Sequence, residues 1–88
     1  MQKPLFSLGQ VVATPGALHL GVNFYPYLHR HQCGDWGELD AEDKAENDFS
    51  IRNNLRLLSA YRAPDGTRFW IITEADRSAT TFLLPEEY

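Results

Sequence analysis

The sequence lacks several features that would assign a function directly. It has one cysteine, Cys33, so it cannot form an internal disulfide, which suits a reducing compartment. Its longest stretch without Lys, Arg, Asp or Glu, residues 4–29, is broken by prolines and glycines and cannot form a membrane-spanning helix. The first residues have no sustained apolar run or cleavage site typical of a secretory signal. We therefore expect a cytoplasmic protein without a membrane partner.

Basic residues are also scarce. Eight Lys and Arg stand against 12 Asp and Glu, giving a formal net charge of −4. Binding to nucleic acid needs clustered positive charge, so direct nucleic-acid binding is disfavoured. One weaker option stays open, because strand alternation places Arg56 and Arg62 on one face, near Arg68, as a small basic strip. The glycines are too dispersed to form a phosphate-binding loop.

The composition is that of one folded domain. With 88 residues, 43% hydrophobic and 23% charged, the chain suits a single domain spanning residues 1–88. Residues 55–62 and 68–74 alternate around a turn that contains Pro64 and Gly66, which predicts a β-hairpin. Residues 6–13 and 80–84 are expected to add strands.

Two capping residues predict helices in the first half of the chain. Thr14 before Pro15 predicts a helical turn over residues 15–20, and Asp40 predicts a helix over 41–53. A third helix is expected over 25–32, capped by Asn23. The predicted fold is therefore α+β: a small antiparallel sheet of three to four strands, with short helices packed on one face.

Acidic residues are concentrated in one segment. Seven lie between positions 35 and 48. Spaced carboxylates can imitate a row of phosphates and occupy a basic groove on another protein, and a tryptophan between glycines can anchor an interface. A solvated helix with acids near its N-terminus, and a tryptophan packed over the core, are the simpler alternatives. The candidate partner-binding residues are Asp35, Trp36, Glu38, Glu42 and Glu46.

A cluster of His29, His31 and Cys33 raises a second class of function. Imidazole and thiolate are zinc ligands, and a cysteine beside a histidine can act as a nucleophile. On a helix only positions 29 and 33 share a face, and no His or Cys follows Cys33. We therefore predict no metal, no cofactor and no catalytic residue, and keep a small metal-binding or enzymatic domain as the alternative.

A polar segment separates the last two predicted strands. Glu74, Asp76 and Arg77 form a candidate polar binding loop, in which Arg77 would offer its guanidinium to a carboxylate or phosphate. The alternative is a turn in which Asp76 and Ser78 bind backbone amides and Arg77 closes a salt bridge to Glu74 or Asp76.

Two blocks of the sequence resemble a known family. The first comprises residues 8–18, Arg30-His31 and the Gly-Asp-Trp-Gly of residues 34–37, and the second comprises residues 58–61, 70–81 and 83–88. Together they are similar to a family of short bacterial proteins of no assigned activity, encoded on plasmids and other mobile elements. The resemblance implies a bacterial cytoplasmic protein that travels with mobile DNA, and it supplies no site residues.

Acid clustering and this resemblance lead to one expectation about function. We expect a non-enzymatic protein-protein interaction module of a mobile genetic element. It would dock an acidic helix onto a nucleic-acid-handling or defence complex.

Overall fold

The computed structural model describes residues 3–88. Its elements follow in chain order: strand β1 (Gln10–Ala13), helices α1 (Pro15–His19), α2 (Tyr25–Gln32) and α3 (Ala41–Asn53), strands β2 (Leu57–Arg62), β3 (Arg68–Thr73) and β4 (Ala79–Leu83), and a 3-10 turn (Pro85–Glu87). This confirms the expected α+β class. None of the helices in this part of the chain is long and apolar enough to cross a membrane.

The helices begin where the capping residues predict. The Thr14 hydroxyl accepts the Ala17 N–H at 3.3 Å, and the Asp40 carboxylate accepts the Asp43 N–H at 2.8 Å. Each bond satisfies an N–H that the first helical turn leaves without a partner. Helix α3 ends at Asn53 because the next residue, Asn54, has a φ of 54°, which breaks the helical path. Phe24, rather than the predicted Asn23, occupies the cap position of α2.

The sheet is mixed, so the expectation of a purely antiparallel sheet is wrong. Its order is β1-β4-β3-β2, and β1 runs parallel to β4 while the other neighbours are antiparallel. Parallel strands need a long connection, which the helices supply, and alternating patterns identify strands without giving their direction. Strand β1 is also shorter than predicted. Gly9, in the left-handed region at φ 65°, lies so close to the Ser78 carbonyl that no side chain would fit.

Helices α1 and α2 cover one face of the sheet and enclose the core. Phe69 and Phe82 are buried there, and the Phe24 ring stacks on Phe82 with centroids 4.3 Å apart. Tyr27 of α2 meets Phe69 edge to face at 4.9 Å. These aromatic contacts fix α2 against the sheet, because each large ring removes much apolar surface from water.

The opposite face of the sheet carries no helix. Leu58, Ile72, Thr81 and Val12 are register partners across all four strands, so their side chains form one row on this face. Tyr88, beyond the 3-10 turn, packs against Trp70 of the next row with ring centroids 5.8 Å apart. We call this surface the open face.

Helix α3 lies beside the edge strand β2. The Asn47 amide donates to the Leu58 carbonyl at 2.6 Å and accepts the Leu58 N–H at 3.1 Å. Further along the same edge, the Glu38 N–H donates to the Ala60 carbonyl at 2.7 Å, and the Ala60 N–H donates to the Trp36 carbonyl at 3.1 Å. Backbone groups that would otherwise attract another strand are satisfied at these positions.

Candidate functional site

Helix α3 turns a polar face toward the protein. Its buried residues are Asn47 and Ser50, while Ala41, Ala45 and Phe49 are exposed. The alanine and phenylalanine stripe that the sequence suggests therefore faces solvent, because α3 is attached by hydrogen bonds to an edge strand instead of by apolar packing. Phe49 keeps 51% of its surface exposed.

The outer surface of α3 combines acids with an exposed aromatic ring. Glu42, Ala45, Glu46 and Phe49 have the i, i+3, i+4, i+7 spacing of one helix face, and all are exposed. Within residues 3–88 neither glutamate takes part in a salt bridge. We call these four residues the acidic face of α3. It leaves two carboxylates and a ring available to a partner.

Two other candidate acids are occupied by arginines. The Arg30 Nε lies 2.7 Å from an Asp35 carboxylate oxygen, and the hydrogen bond from Arg30 holds the pKa of Asp35 below its ordinary value. The Arg62 Nε lies 2.9 Å from a Glu38 carboxylate oxygen. Both pairs are solvent-exposed, so each contributes little to stability. Their charge is compensated locally, which separates them from Glu42 and Glu46.

Trp36 lies inside the protein. Only 3% of its surface is exposed, its indole N–H donates to an Asp48 carboxylate oxygen at 3.1 Å, and its ring stacks on Phe6. Its ring also packs edge to face with the His31 ring, with the two ring centroids 5.7 Å apart. The alternative of a tryptophan packed over the core therefore describes Trp36, and its side chain is not on the surface where a partner anchor would lie.

The polar loop is used within the chain. The Glu74 carboxylate accepts from Arg56 at 3.2 Å, and the Asp76 carboxylate accepts the Ser78 N–H at 2.9 Å. Arg77 makes no salt bridge to either acid among the described residues. Its guanidinium instead donates to four backbone carbonyls, those of Ser50, Leu55, Glu74 and Ala75. Arg77 thus links the end of α3 to the β3–β4 turn. Few of its guanidinium N–H groups remain to bind a ligand.

The three residues of the alternative site point in different directions. His29 is exposed and its Nε2 lies 3.7 Å from the Cys33 sulfur, whereas His31 is fully buried on the other side of α2. Among residues 3–88 no three His, Cys, Asp or Glu side chains are placed to hold a metal ion together. The pair His29 and Cys33 supplies two ligands, too few for a zinc site.

His31 belongs to a buried network of hydroxyl groups. Its Nδ1 lies 2.6 Å from the Ser59 hydroxyl and its Nε2 lies 2.9 Å from the Thr73 hydroxyl, which is 2.8 Å from the Thr80 hydroxyl. Thr80 donates to the Leu8 carbonyl at 2.8 Å. Sequence reasoning missed this network. The sequence does carry a signal for it, because the strand alternation that places Phe69 and Ile71 on the core face also places Ser59 and Thr73 there.

The hydrogen bonds of this network fix the tautomer of His31. Thr80 gives its only hydroxyl hydrogen to the Leu8 carbonyl, so Thr73 must donate in the contact between the two threonines. The Thr73 oxygen then accepts from His31, which places the ring proton on Nε2, while Nδ1 accepts from Ser59. Every hydrogen is used once, and no buried side-chain N or O among the described residues lacks a partner.

Burial keeps this imidazole neutral. Desolvation, together with a smaller effect of the nearby Arg77 cation, lowers the pKa of His31 to about 3. The Phe6 and Trp36 rings pack edge-on against the imidazole and exclude water. Because Ser59 lies behind this closed shell, the histidine and serine pair is a structural element and has no path to a substrate.

The arginines of the hairpin do not form a continuous basic strip. Arg56 binds Glu74 and the Tyr88 hydroxyl, Arg62 binds Glu38, and Arg68 is exposed at the far end of the open face. Two of the three positive charges are therefore compensated by neighbouring carboxylates. This arrangement offers little of the clustered charge that phosphate backbones require.

Comparison with known proteins gives no match: no protein-family model fits the chain, and no curated protein or solved structure is similar to it. The function has to be inferred from the side chains that the fold leaves available.

Proposed function

We propose that this chain is a non-enzymatic protein-interaction module that docks the acidic face of α3 onto a basic surface of another protein. The observation that carries the proposal is the pair Glu42 and Glu46, one turn apart, exposed and without a salt bridge in residues 3–88. Uncompensated charge of one sign steers association with a surface of the opposite sign.

Phe49 supplies the apolar component of this contact. Large aromatic side chains often dominate interface energy when a ring of polar residues surrounds them. Phe49 is half exposed and lies one turn from Glu46 on the same face. It takes the role that the sequence suggested for Trp36, whose ring is buried.

The partner class follows from charge. A surface that binds nucleic acid presents clustered Lys and Arg, and a row of carboxylates is complementary to it. The resemblance to proteins of plasmids and other mobile elements supports a nucleic-acid-handling or defence complex as the partner. The module would cover the basic surface of that complex and compete with its nucleic acid.

Affinity capture across a salt series tests this proposal. Tagged protein is incubated with nuclease-treated bacterial lysate, eluted with rising salt, and the eluate is identified by mass spectrometry. We expect a discrete basic partner that leaves as salt rises, because screening weakens exposed charge contacts. The decisive comparison is Glu42→Lys with Glu86→Lys, which changes the net charge equally at an exposed position outside the acidic face.

Loss of the partner with Glu42→Lys and retention with Glu86→Lys is the expected result. Phe49→Ala should weaken capture as well, whereas Leu18→Ala, which trims another exposed apolar side chain, should not. Equal behaviour of the two charge variants, or no salt-sensitive partner at all, would overturn the proposal.

A further inference from the structure

Strand β1 leaves one edge of the sheet without a neighbour. The N–H groups of Gln10 and Thr14 donate to carbonyls on the β4 side, each at 3.0 Å. Alternate residues of a strand direct their backbone groups to opposite sides, so the N–H and C=O groups of Val11 and Ala13 point away from β4. Because β1 is the last strand of the sheet, no hydrogen bond within residues 3–88 uses these four groups.

The two edges of the sheet differ in how they are protected. The backbone of β2 is partly occupied by the Asn47 amide and by the backbone of Trp36 and Glu38. Natural edge strands are commonly protected by a charge, a proline, a bulge or a covering segment. Strand β1 carries no charge and no proline, pairs with β4 without a bulge, and leaves Val11 and Val12 44% and 41% exposed. This edge is therefore able to accept another strand.

The distribution of charge favours a second copy of the chain as the added strand. The chain has 8 Lys and Arg and 12 Asp and Glu, yet none of them lies in residues 4–29. In a twofold dimer a residue near the axis meets its own copy, so a charge there would be repelled by an identical charge. The Glu87 carboxylate, which reaches Thr14 near the end of β1, is already bound by that hydroxyl and by the Gly16 and Leu84 N–H groups. The β1 edge thus meets the requirement for self-pairing and offers no charge by which a different partner would be selected.

The backbone selects one register for this self-pairing. A twofold axis makes the two β1 strands antiparallel, and two opposed residues that face each other exchange two hydrogen bonds. Pairing Val11 with Ala13 of the second copy uses all four outward groups of each strand and places Val12 opposite Val12. A shift in one direction would instead use Gly9, whose φ of 65° is not extended, and a shift in the other would use Pro15, which has no N–H.

We propose that two copies of this chain associate through β1, antiparallel about a twofold axis at Val12, to form one eight-stranded sheet. The Val12 side chain lies on the open face and would meet its own copy there, as a β-branched pair that is favourable across antiparallel strands. Strands are spaced by about 4.8 Å, so the two α3 helices beside the β2 strands would lie more than about 30 Å apart, several screening lengths at physiological salt. Repulsion between the acidic faces therefore does not oppose the dimer. The pairing uses the edge opposite α3 and does not depend on the proposed function.

Sedimentation equilibrium over a concentration series tests the dimer. Because β1 is short, we expect a reversible association in which the mass rises from 10.1 kDa toward twice that value below about 1 mM protein. Val12→Lys sets two cations against each other across the axis and should weaken the association by about tenfold or more. Asn53→Lys adds the same charge at an exposed position of α3, beside the other edge, and should leave the association near the wild-type value.

Opposite charges at the axis test whether position 12 meets its own copy. Val12→Glu alone should be as weakly associated as Val12→Lys, whereas an equal mixture of the two variants should form a heterodimer, because a cation then lies opposite a carboxylate. An unchanged tryptophan emission spectrum shows that each variant keeps the fold.

Cysteine cross-linking tests the register without adding charge. In a Cys33→Ser background, Val12→Cys should form a disulfide-linked dimer on mild oxidation, because opposed residues at such a position have Cα atoms about 4.5 Å apart. Gln10→Cys is the control at an exposed position of the same strand. In this register position 10 lies opposite Thr14, so two copies of it are offset by about 13 Å along the strands and should not cross-link.

Each measurement has an outcome that contradicts the dimer. A mass that stays at 10.1 kDa up to about 1 mM protein would overturn the proposal. Equal association of Val12→Lys and Asn53→Lys would place the contact on another surface and would overturn it as well. The same holds if the two charged variants of Val12 fail to associate when mixed, or if Gln10→Cys cross-links as readily as Val12→Cys. Should Val12→Lys fail to fold, the cysteine pair still decides.

Discussion

Asn47 binds Leu58 as a neighbouring strand would. Its side-chain amide donates to the Leu58 carbonyl at 2.6 Å and accepts the Leu58 N–H at 3.1 Å, so one residue of a helix satisfies both backbone groups of an edge-strand residue. These two hydrogen bonds attach α3, with its exposed acids, to the sheet. It also explains how a helix can be stably placed with only Asn47 and Ser50 buried.

Removing this amide should loosen α3. We expect Asn47→Ala to lower the free energy of unfolding by about 2–3 kcal/mol, because two hydrogen bonds are lost and the partly buried Leu58 backbone groups lose their partner. The control is Asn53→Ala, whose amide binds the Phe49 carbonyl within the same helix and is exposed. Urea denaturation measures both, and hydrogen exchange at the Leu58 amide should accelerate in the first variant only. Equal losses in the two variants would contradict this role.

Local chemistry predicted the elements of this fold well. Thr14 and Asp40 are caps whose side chains can satisfy backbone donors within three residues, and both helices begin there. The turn between β2 and β3 follows from Pro64 and Gly66, whose backbone preferences act without help from the rest of the chain. Such features depend on neighbours in sequence, which is why composition and spacing reveal them.

Features that depend on distant partners were not predicted. The parallel pairing of β1 with β4 joins residues about 70 positions apart, and no local preference encodes it. The burial of His31 requires Ser59 and Thr73 to meet it from two strands, and the burial of Trp36 requires the Phe6 ring. For the site, the acids Glu42 and Glu46 were predicted and are exposed. Trp36 is buried where an exposed side chain was predicted, and the exposure of Phe49 was not predicted because it follows from the polar attachment of α3.

Acid should destabilise the protein through His31. Its pKa is about 3 when folded and about 6.5 in the unfolded chain, so between these values the unfolded state binds a proton that the folded state does not. The free energy of unfolding should therefore fall by ~1.4 kcal/mol for each pH unit below about 6.5. Denaturation curves between pH 7 and about 5.5 test this, because the carboxylates begin to protonate at lower pH.

A variant isolates the histidine contribution to that slope. His31→Gln keeps a side chain that can hydrogen-bond but removes the titrating group, so stability should be lower at pH 7 and nearly independent of pH in this range. His29→Gln at the neighbouring exposed position is the control and should keep the wild-type slope. If His31→Gln shows the wild-type slope too, other groups cause the pH dependence.

Gly37 should tolerate no side chain. Its φ is 75°, and a Cβ there would lie only 2.0 Å from the Ala60 carbonyl oxygen. Gly21 has a similar φ of 65° but no atom within 4 Å of the same position. Gly21→Ala should therefore cost about 1–2 kcal/mol of unfolding free energy from backbone strain alone.

Gly37→Ala should cost several kcal/mol more than Gly21→Ala, because the segment must move away from β2. Fluorescence gives an independent readout, since displacement of this segment would expose the Trp36 ring and shift its emission to longer wavelength. Similar stability for the two variants would show that the close approach to Ala60 is not needed.

Arg77 should be irreplaceable by lysine even though both carry one charge. Its guanidinium reaches the Ser50 and Leu55 carbonyls near the end of α3 as well as two carbonyls of its own turn. An ammonium group lacks the planar fork needed to join them, so Arg77→Lys should lower the free energy of unfolding by about 2 kcal/mol. Arg52→Lys, at an exposed position of α3, should change it by much less.

The backbone at this position supplies a second test. Arg77 has a φ of 61°, which glycine adopts without strain. Arg77→Gly should therefore be about 1 kcal/mol more stable than Arg77→Ala, although both lose the guanidinium. If Arg77→Ala were instead as stable as the wild type, the four carbonyl bonds would contribute nothing net. The attachment of α3 would then depend on Asn47, and hydrogen exchange near Leu55 would be unchanged in the variant.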